Sequence, residues 1–207
     1  VRREALDDFG MQLNEQYAKL VSAYARSVEQ RNALLKEPAL DVGLLEAWDE
    51  SIALTGAALL QHRCALLDRV RAHMAEAYAT IAPHEEIVVA YEATVGPVEG
   101  ASREELADRL VEAFRARREE ERRRGMTLAG PHRDEIVFTI DGRDARAFGS
   151  QGQQRSVVLA WKMAEVRVTR DILGRYPLLL LDDVMSELDA SRQEYLLNHI
   201  GMFQTFL

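Results

Sequence analysis

Three short stretches near the C-terminal end carry residue types suited to phosphate chemistry. The first is Gly149-Ser150-Gln151-Gly152-Gln153-Gln154-Arg155, just ahead of an amphipathic run. A helix start offers unpaired N–H groups and a partial positive charge, and both suit an anion. Gly152 lets the backbone approach a ligand closely, and the Ser150 hydroxyl can donate to a phosphate oxygen; an ordinary serine-capped helix is the plain alternative. The second stretch is the apolar run Leu178 to Leu181, ending in Asp182 and Asp183. Such a run suits a central parallel strand buried on both faces, whose C-terminal end is the usual ligand edge. Adjacent strand residues point opposite ways, so the two carboxylates would differ in task. One can help hold Mg2+ on nucleotide phosphates, and the other can polarise an attacking water. A polar strand end entering a turn is the competing reading. The third stretch, Ser186-Glu187-Leu188-Asp189, opens a helix around residues 193–199, where Asp189 can also serve as a simple cap.

The elements that must hold these groups follow from periodicity. The helix after Ser150 has inward positions at Val158, Trp161, Met163 or Ala164, and Val168. Upstream, Leu6, Phe9, Leu13, Leu20, Tyr24 and Val28 define one helical face from Leu6 to Leu34. Pro38 and Gly43 interrupt it, and Asp41 can cap a second helix carrying Leu45, Trp48, Ile52, Leu59, Leu66, Val70, Met74 and Ile81. Two such helices, each roughly 45–55 Å long at 1.5 Å per residue, should fold back as an antiparallel hairpin. Their length favours a projecting arm over a pair of core helices.

Ile87 to Glu92 reads as a strand, followed by a helix from the capping serine Ser102, with Glu105 three residues on, to about Arg124. The tail of that helix interleaves arginines with Glu119, Glu120 and Glu121, which suits a solvated helix laced with ion pairs better than a nucleic-acid-tracking stripe. No aromatic residues are interleaved to stack bases. Gly130-Pro131-His132-Arg133-Asp134 then precedes a strand at residues 136–140 and a hairpin turn at Asp141-Gly142. His132, Arg133 and Asp134 could form an accessory loop contacting phosphate or a partner, or a plain hydrogen-bonded loop. They make a poor metal site.

Composition sets the limits. A hydrophobic content of 47% with 29% charged residues is that of a soluble globular chain, and no apolar run approaches the ~20 residues of a membrane span. A net charge of −8 argues against a generally sticky nucleic-acid surface, so DNA contact would need a local patch or a face made by dimerisation. A single cysteine, Cys64, excludes an internal disulfide framework and points to a reducing cytoplasm, where it would act as a small buried hydrophobe.

In combination these stretches resemble the RecF family of recombination mediators, within the ABC/SMC-like ATPases. The resemblance is carried by Gln30-Arg31-Asn32-Ala33-Leu34-Leu35-Lys36, Trp48-Asp49, Gly130 to Asp134, Ser150 to Arg155, and Leu179 to Asp189. It implies an α/β fold: the second half of an ABC-type P-loop ATPase head, with a parallel-sheet core and an antiparallel helical-hairpin arm. It also implies ATP and Mg2+ sandwiched between two heads. Ser150, Gly152 and Gln153 would be the signature touching the partner's nucleotide. Asp182 would be the Walker B magnesium ligand, Asp183 the catalytic acid, and Ser186 to Asp189 the D-loop. Asp183 departs from the glutamate usual in ABC proteins, so slow hydrolysis is expected. The family links to DNA at single-strand gaps, to the partners RecO and RecR in loading the recombinase, to replication restart and to SOS induction. An intact protein would be a weak DNA-dependent ATPase.

One element of such a head is missing. The phosphate-cradling loop G-x-x-x-x-G-K followed by Ser or Thr occurs nowhere, since none of Lys19, Lys36 and Lys162 follows a glycine. The expectation is a C-terminal segment lacking its Walker A lobe, with residues 1–82 as part of the arm. Residues 83–207 would then be the remainder of the arm and the C-terminal part of the head. Such a segment alone would bind ATP poorly and not hydrolyse it. The rival readings are another SMC-like ATPase head, against which the short arm argues, and a non-catalytic helical scaffold.

Overall fold

Asn14 divides the first long helix in two. In the computed structural model, which describes residues 2–180, 190–200 and 205–206, α1 runs Arg2–Leu13 and α2 runs Glu15–Leu35. Asn14 takes extended dihedrals between them, and its side chain accepts the amides of Gln16 and Tyr17 at 2.8 and 3.1 Å. The uninterrupted face expected from Leu6 to Leu34 is thus broken by a helix cap of the preferred type. The break lets Tyr17 fold back over Gly10, where any Cβ would stand 2.6 Å from its ring, so that its hydroxyl donates to Asp7.

The chain forms two compact units. One comprises Val1–Leu66 and Tyr91–Ile136, the other Leu67–Ala90 and Val137–Leu207, with the 40-residue helix α3 (Val42–Ile81) contributing to both. In the first, α1, α2, the early part of α3 and α4 (Arg103–Arg124) share a core that includes Leu6, Tyr24, Leu45, Ile52, Leu59 and Phe114. The heptad step Leu45, Ile52, Leu59 would next fall on Leu66, but the buried leucine is Leu67. Drift of a 3.6-residue helix against a seven-residue repeat moves the stripe. Arg63 and Asp49 also lie on the buried face of α3. Helix α4 starts with the expected capping box between Ser102 and Glu105 and ends at Gly125 in the left-handed conformation.

Strands β1 (Ile87–Glu92), β2 (Glu135–Ile140) and β3 (Arg143–Asp144) form a sheet in that order. The last two are antiparallel, with Thr139 opposite Asp144 and Ile140 opposite Arg143. Asp141 and Gly142 both take positive φ, 48° and 76°, as a two-residue hairpin turn requires. Phe138 from β2 meets Trp161 edge-on at 5.6 Å within the second unit.

A one-turn helix α5 (Ala145–Phe148) leads into α6 (Gln151–Leu173). Trp161, Met163, Ala164 and Val168 are buried as expected, but Val158 is 61% exposed. Val157 and Leu159 turn inward in its place, because the buried stripe of α6 is wide enough to take both its neighbours. Strands β4 (Leu179–Leu180) and β5 (Thr205–Phe206) pair in parallel, joined across α7 (Ala190–Ile200). A parallel pair needs such a crossover, and this is the parallel-sheet part of an α/β head. No helix among the described residues is long and apolar enough to cross a membrane.

Candidate functional site

The turn before α6 is built by reciprocal capping. The Ser150 hydroxyl oxygen accepts the Gln153 amide at 3.2 Å, while Gln153 Oε1 accepts the Ser150 amide at 2.9 Å. That arrangement fixes the serine at the helix entry and leaves its own hydroxyl proton to donate outward. Ser150 is exposed. The Gln151 and Gly152 amides lie in the first helical turn, where the helix supplies no acceptors of its own. Gly149 is required just ahead, because a Cβ there would collide with the carbonyl of Ala145.

The Gln153 side chain is held at both ends. Its Nε2 donates to Glu85 Oε1 at 3.1 Å, and Glu85 Oε2 accepts the Tyr78 hydroxyl at 2.6 Å. Burial first, and then the neighbouring Glu85 carboxylate, push the Tyr78 phenol above its ordinary range, so it stays a donor. A cavity of roughly 370 Å³ opens beside the turn, between Asp141 and Arg143 of the hairpin and Phe148, Gly149 and Gln153. Phe148 at its rim is 72% exposed. Seen chemically, the turn presents one hydroxyl donor and a helix N-terminus outward, a fit for phosphate oxygens rather than for a metal.

The Gly130 to Asp134 loop, in the other unit, is a hydrogen-bonded knot. Gly130 sits at φ 111°, with Tyr24 Oη 2.5 Å from where a Cβ would be. His132 Nδ1 lies 2.9 Å from Tyr24 Oη and Nε2 lies 3.1 Å from the Thr127 carbonyl. The carbonyl can only accept, so Nε2 carries the proton and the phenol donates to Nδ1. Asp134, only 1% exposed, accepts from the Tyr91 hydroxyl and from both the amide and hydroxyl of Thr94. Burial raises its carboxyl above the usual range despite these donors. Arg133 Nε also donates to the Thr127 carbonyl.

His132 is lowered to about 4, by burial first and then by the nearby Arg133, Arg3 and Arg31 charges. A histidine whose folded value lies below its unfolded one stabilises the fold fully above about pH 6.5, and that contribution falls away as pH drops toward 4. Asp134 acts with the opposite sign, since its raised carboxyl favours the folded state at lower pH. Urea unfolding of the chain beside His132→Gln isolates the histidine. Gln can make both bonds without charging, so the stability difference should move toward the variant by up to about 3 kcal/mol between pH 7 and pH 4. A difference independent of pH would show that the ring is not held neutral.

Two buried arginines complete the same unit. Arg63 forms a bidentate pair with Asp7, at 2.8 and 2.7 Å, and also donates to Tyr91 Oη and the Pro131 carbonyl. Arg31, wholly buried, meets Asp49 at 2.6 Å, Glu121 at 2.7 Å and Thr127 Oγ1 at 3.0 Å. Its guanidinium also lies over the Phe114 ring, 4.6 Å from the centroid.

Comparison with known proteins gives one answer. A protein of Symbiobacterium thermophilum named DNA replication and repair protein RecF is 43% identical over 201 residues, spanning 96% of this chain and 54% of its own length. Its namesake in Moorella thermoacetica is 42% identical over 210 residues, spanning 100% of this chain and 54% of its own length. A solved structure of the recombination mediator protein RecF with ATP, in the RecFOR pathway, superposes with a TM-score of 0.91 at 31% identity. It is covered over 56% of its length, against 100% of this chain. Along nearly its whole length the chain is similar to RecF proteins. It spans about half the length of the curated relatives it matches. A second RecF structure, with ATPrS, gives a TM-score of 0.92. No family model matches the chain.

Within this RecF-like segment, Ser150, Gly152 and Gln153 come together at one turn, whereas His132, Arg133 and Asp134 belong to the other unit. Asp182, Asp183, Ser186 and Asp189 lie outside the described residues, between the end of β4 and the start of α7. Among the described residues no group of three His, Cys, Asp or Glu side chains could hold a metal ion. The two arginine knots were not read from the sequence, because a charged residue on a helix counts there as exposed. The signal that could have found them is spacing: Arg63 lies four residues after Leu59 and four before Leu67, on the stripe itself.

Proposed function

We propose that this chain is the part of a RecF ATPase head that acts on nucleotide held mainly by groups outside it. Ser150, Gly152 and Gln153 would contact ATP bound by a second head across a dimer interface. Asp182 would help hold Mg2+ and Asp183 would stand by the attacking water, on nucleotide bound by a lobe carrying the missing phosphate loop. Ser186 to Asp189 would line the same interface. The observation that carries this reading is the exposed Ser150, capped so that its hydroxyl proton stays free, at the start of α6. The assembled protein would be a weak DNA-dependent ATPase of recombinational repair in the cytoplasm. It would bind DNA at single-strand gaps and work with RecO and RecR to load the recombinase.

Residues 1–82 would belong to a helical arm and residues 83–207 to the rest of that arm and the C-terminal part of the head. The chemistry that ATP and Mg2+ supply is phosphoryl transfer to water. The chain's own share is to offer a donor and a helix N-terminus to one nucleotide and two acids to another.

Isothermal titration tests the division of labour. The isolated chain is expected to show no tight ATP binding with Mg2+. The full-length protein, with its phosphate loop, should bind ATP and dimerise on doing so. Tight, magnesium-dependent binding by the isolated chain would overturn the proposal, as would a full-length protein that binds ATP and stays monomeric.

A further inference from the structure

The nucleotide-facing turn has a second neighbour inside its own unit. Arg192, in the first turn of α7, donates from Nε to Ser156 Oγ at 2.7 Å. Ser156, fully buried, in turn donates to the Gly152 carbonyl at 3.1 Å. A Cβ on Gly152 would stand 3.3 Å from Arg192 Nη2 and 3.6 Å from Nη1, so the guanidinium lies close against the turn itself. A cation at a helix N-terminus works against the helix dipole, and Arg192 sits in the first turn of α7 and beside the first turn of α6. Along the chain, Arg192 follows Asp189 by three residues, so α7 is the helix that continues the Ser186 to Asp189 stretch.

We propose that Arg192 is a positioning residue that locks the Ser150 to Gln153 turn to the helix following Ser186 to Asp189. The turn then meets a partner head's nucleotide backed by α7 instead of standing alone. Gln153 is tied from the other side by Glu85, so the turn is clamped between α7 and the segment after α3. Ser156 is the coupling atom, accepting from the arginine and donating to the backbone of the turn. The inference rests on the reading that this turn contacts ATP in trans.

The test uses the full-length protein and three measurements: the protein concentration for half-maximal ATP-driven dimerisation, the ATP affinity of the monomer, and the thermal midpoint. Arg192→Ala should raise the dimerisation concentration about tenfold, as loss of a charge-assisted hydrogen bond would, with monomer ATP affinity unchanged. Ser156→Ala removes both the acceptor for Arg192 and the donor to the Gly152 carbonyl, both neutral groups, and should raise it about threefold. The double variant should be no worse than Arg192→Ala alone, because both changes break one link. Ser150→Arg serves as the control for the trans contact. Blocked dimerisation in that control with Arg192→Ala within about twofold of wild type would overturn the positioning role and leave the trans reading standing. Fully additive effects of the two alanines would overturn it too. Normal dimerisation of Ser150→Arg would overturn the trans reading and this inference with it. Where Arg192→Ala fails to fold, Ser156→Ala decides alone: a shift at unchanged ATP affinity supports the link, and no shift overturns it.

Discussion

A full-length protein carrying Ser150→Arg is expected to bind ATP as a monomer with unaltered affinity and yet fail to dimerise on it. The reason lies in what the serine does at its position. Its oxygen caps α6 through the Gln153 amide, and its hydroxyl proton is left to donate from an exposed position. An arginine there loses the cap, which costs about 1 kcal/mol of stability, a loss that a 23-residue helix with ten buried residues can absorb. The larger effect is steric. A long side chain occupies the space a partner's phosphate would need, and no contact to nucleotide bound in the same head is touched. Its positive charge could attract the phosphate, so Ser150→Ala provides the graded control, losing cap and donor without adding bulk. Light scattering with and without ATP should show the dimer lost for arginine, by at least about 100-fold in concentration, and weakened about tenfold for alanine. Normal ATP-driven dimerisation of Ser150→Arg would remove the trans contact from this turn.

The sequence made the local chemistry of the turn legible and left its mechanical support hidden. Ser150 with Gln153, and Ser102 with Glu105, announce helix starts by residue type alone, and both capping boxes are present. Asp141-Gly142 likewise dictates its hairpin, since few other pairs tolerate two consecutive positive φ angles. Contacts between distant segments carry no such mark. Gln153 reads as a candidate ligand residue, and nothing local discloses that Glu85, 68 positions away, holds its amide. Asn14 lies within a run whose apolar periodicity continues past it, although its side chain divides a helix. The arginine-rich tail of α4 is the sharpest case. Its alternating charges suggest solvent throughout, yet Glu121 is wholly buried, seven residues beyond the buried Phe114. A glutamate at a core position becomes legible only together with Arg31, which lies 90 positions earlier and is itself read as exposed.

That buried cluster sets the largest stability effect expected of the chain. Arg31 answers Asp49 and Glu121 at once, and Arg118 lies 3.8 Å from the second Asp49 oxygen. Burial raises the Asp49 carboxyl, while the Arg31 guanidinium and then Arg118 oppose the rise. Arg31→Met fills a similar volume but leaves Glu121 without its cation and Asp49 with only the more distant Arg118. Removing one partner of a buried pair costs about 3–5 kcal/mol, far more than the pair is worth against a neutral replacement. The remedy follows from the same asymmetry. Adding Asp49→Asn and Glu121→Gln to Arg31→Met removes the stranded charges, and the glutamine oxygen can still accept the Leu128 amide that Glu121 Oε1 accepts now, at 2.7 Å. Urea unfolding should therefore show the triple variant regaining more than half of the loss, although it is three changes from wild type instead of one. The cluster would then be a device for aligning α2, α3 and α4 by charge, not a net source of stability. A single variant costing under about 1 kcal/mol, or a triple variant less stable than the single, would refute that account. It also explains how stretches such as Gln30 to Lys36 and Trp48-Asp49 can carry the resemblance to RecF: Arg31 and Asp49 within them hold the helices of one unit in register.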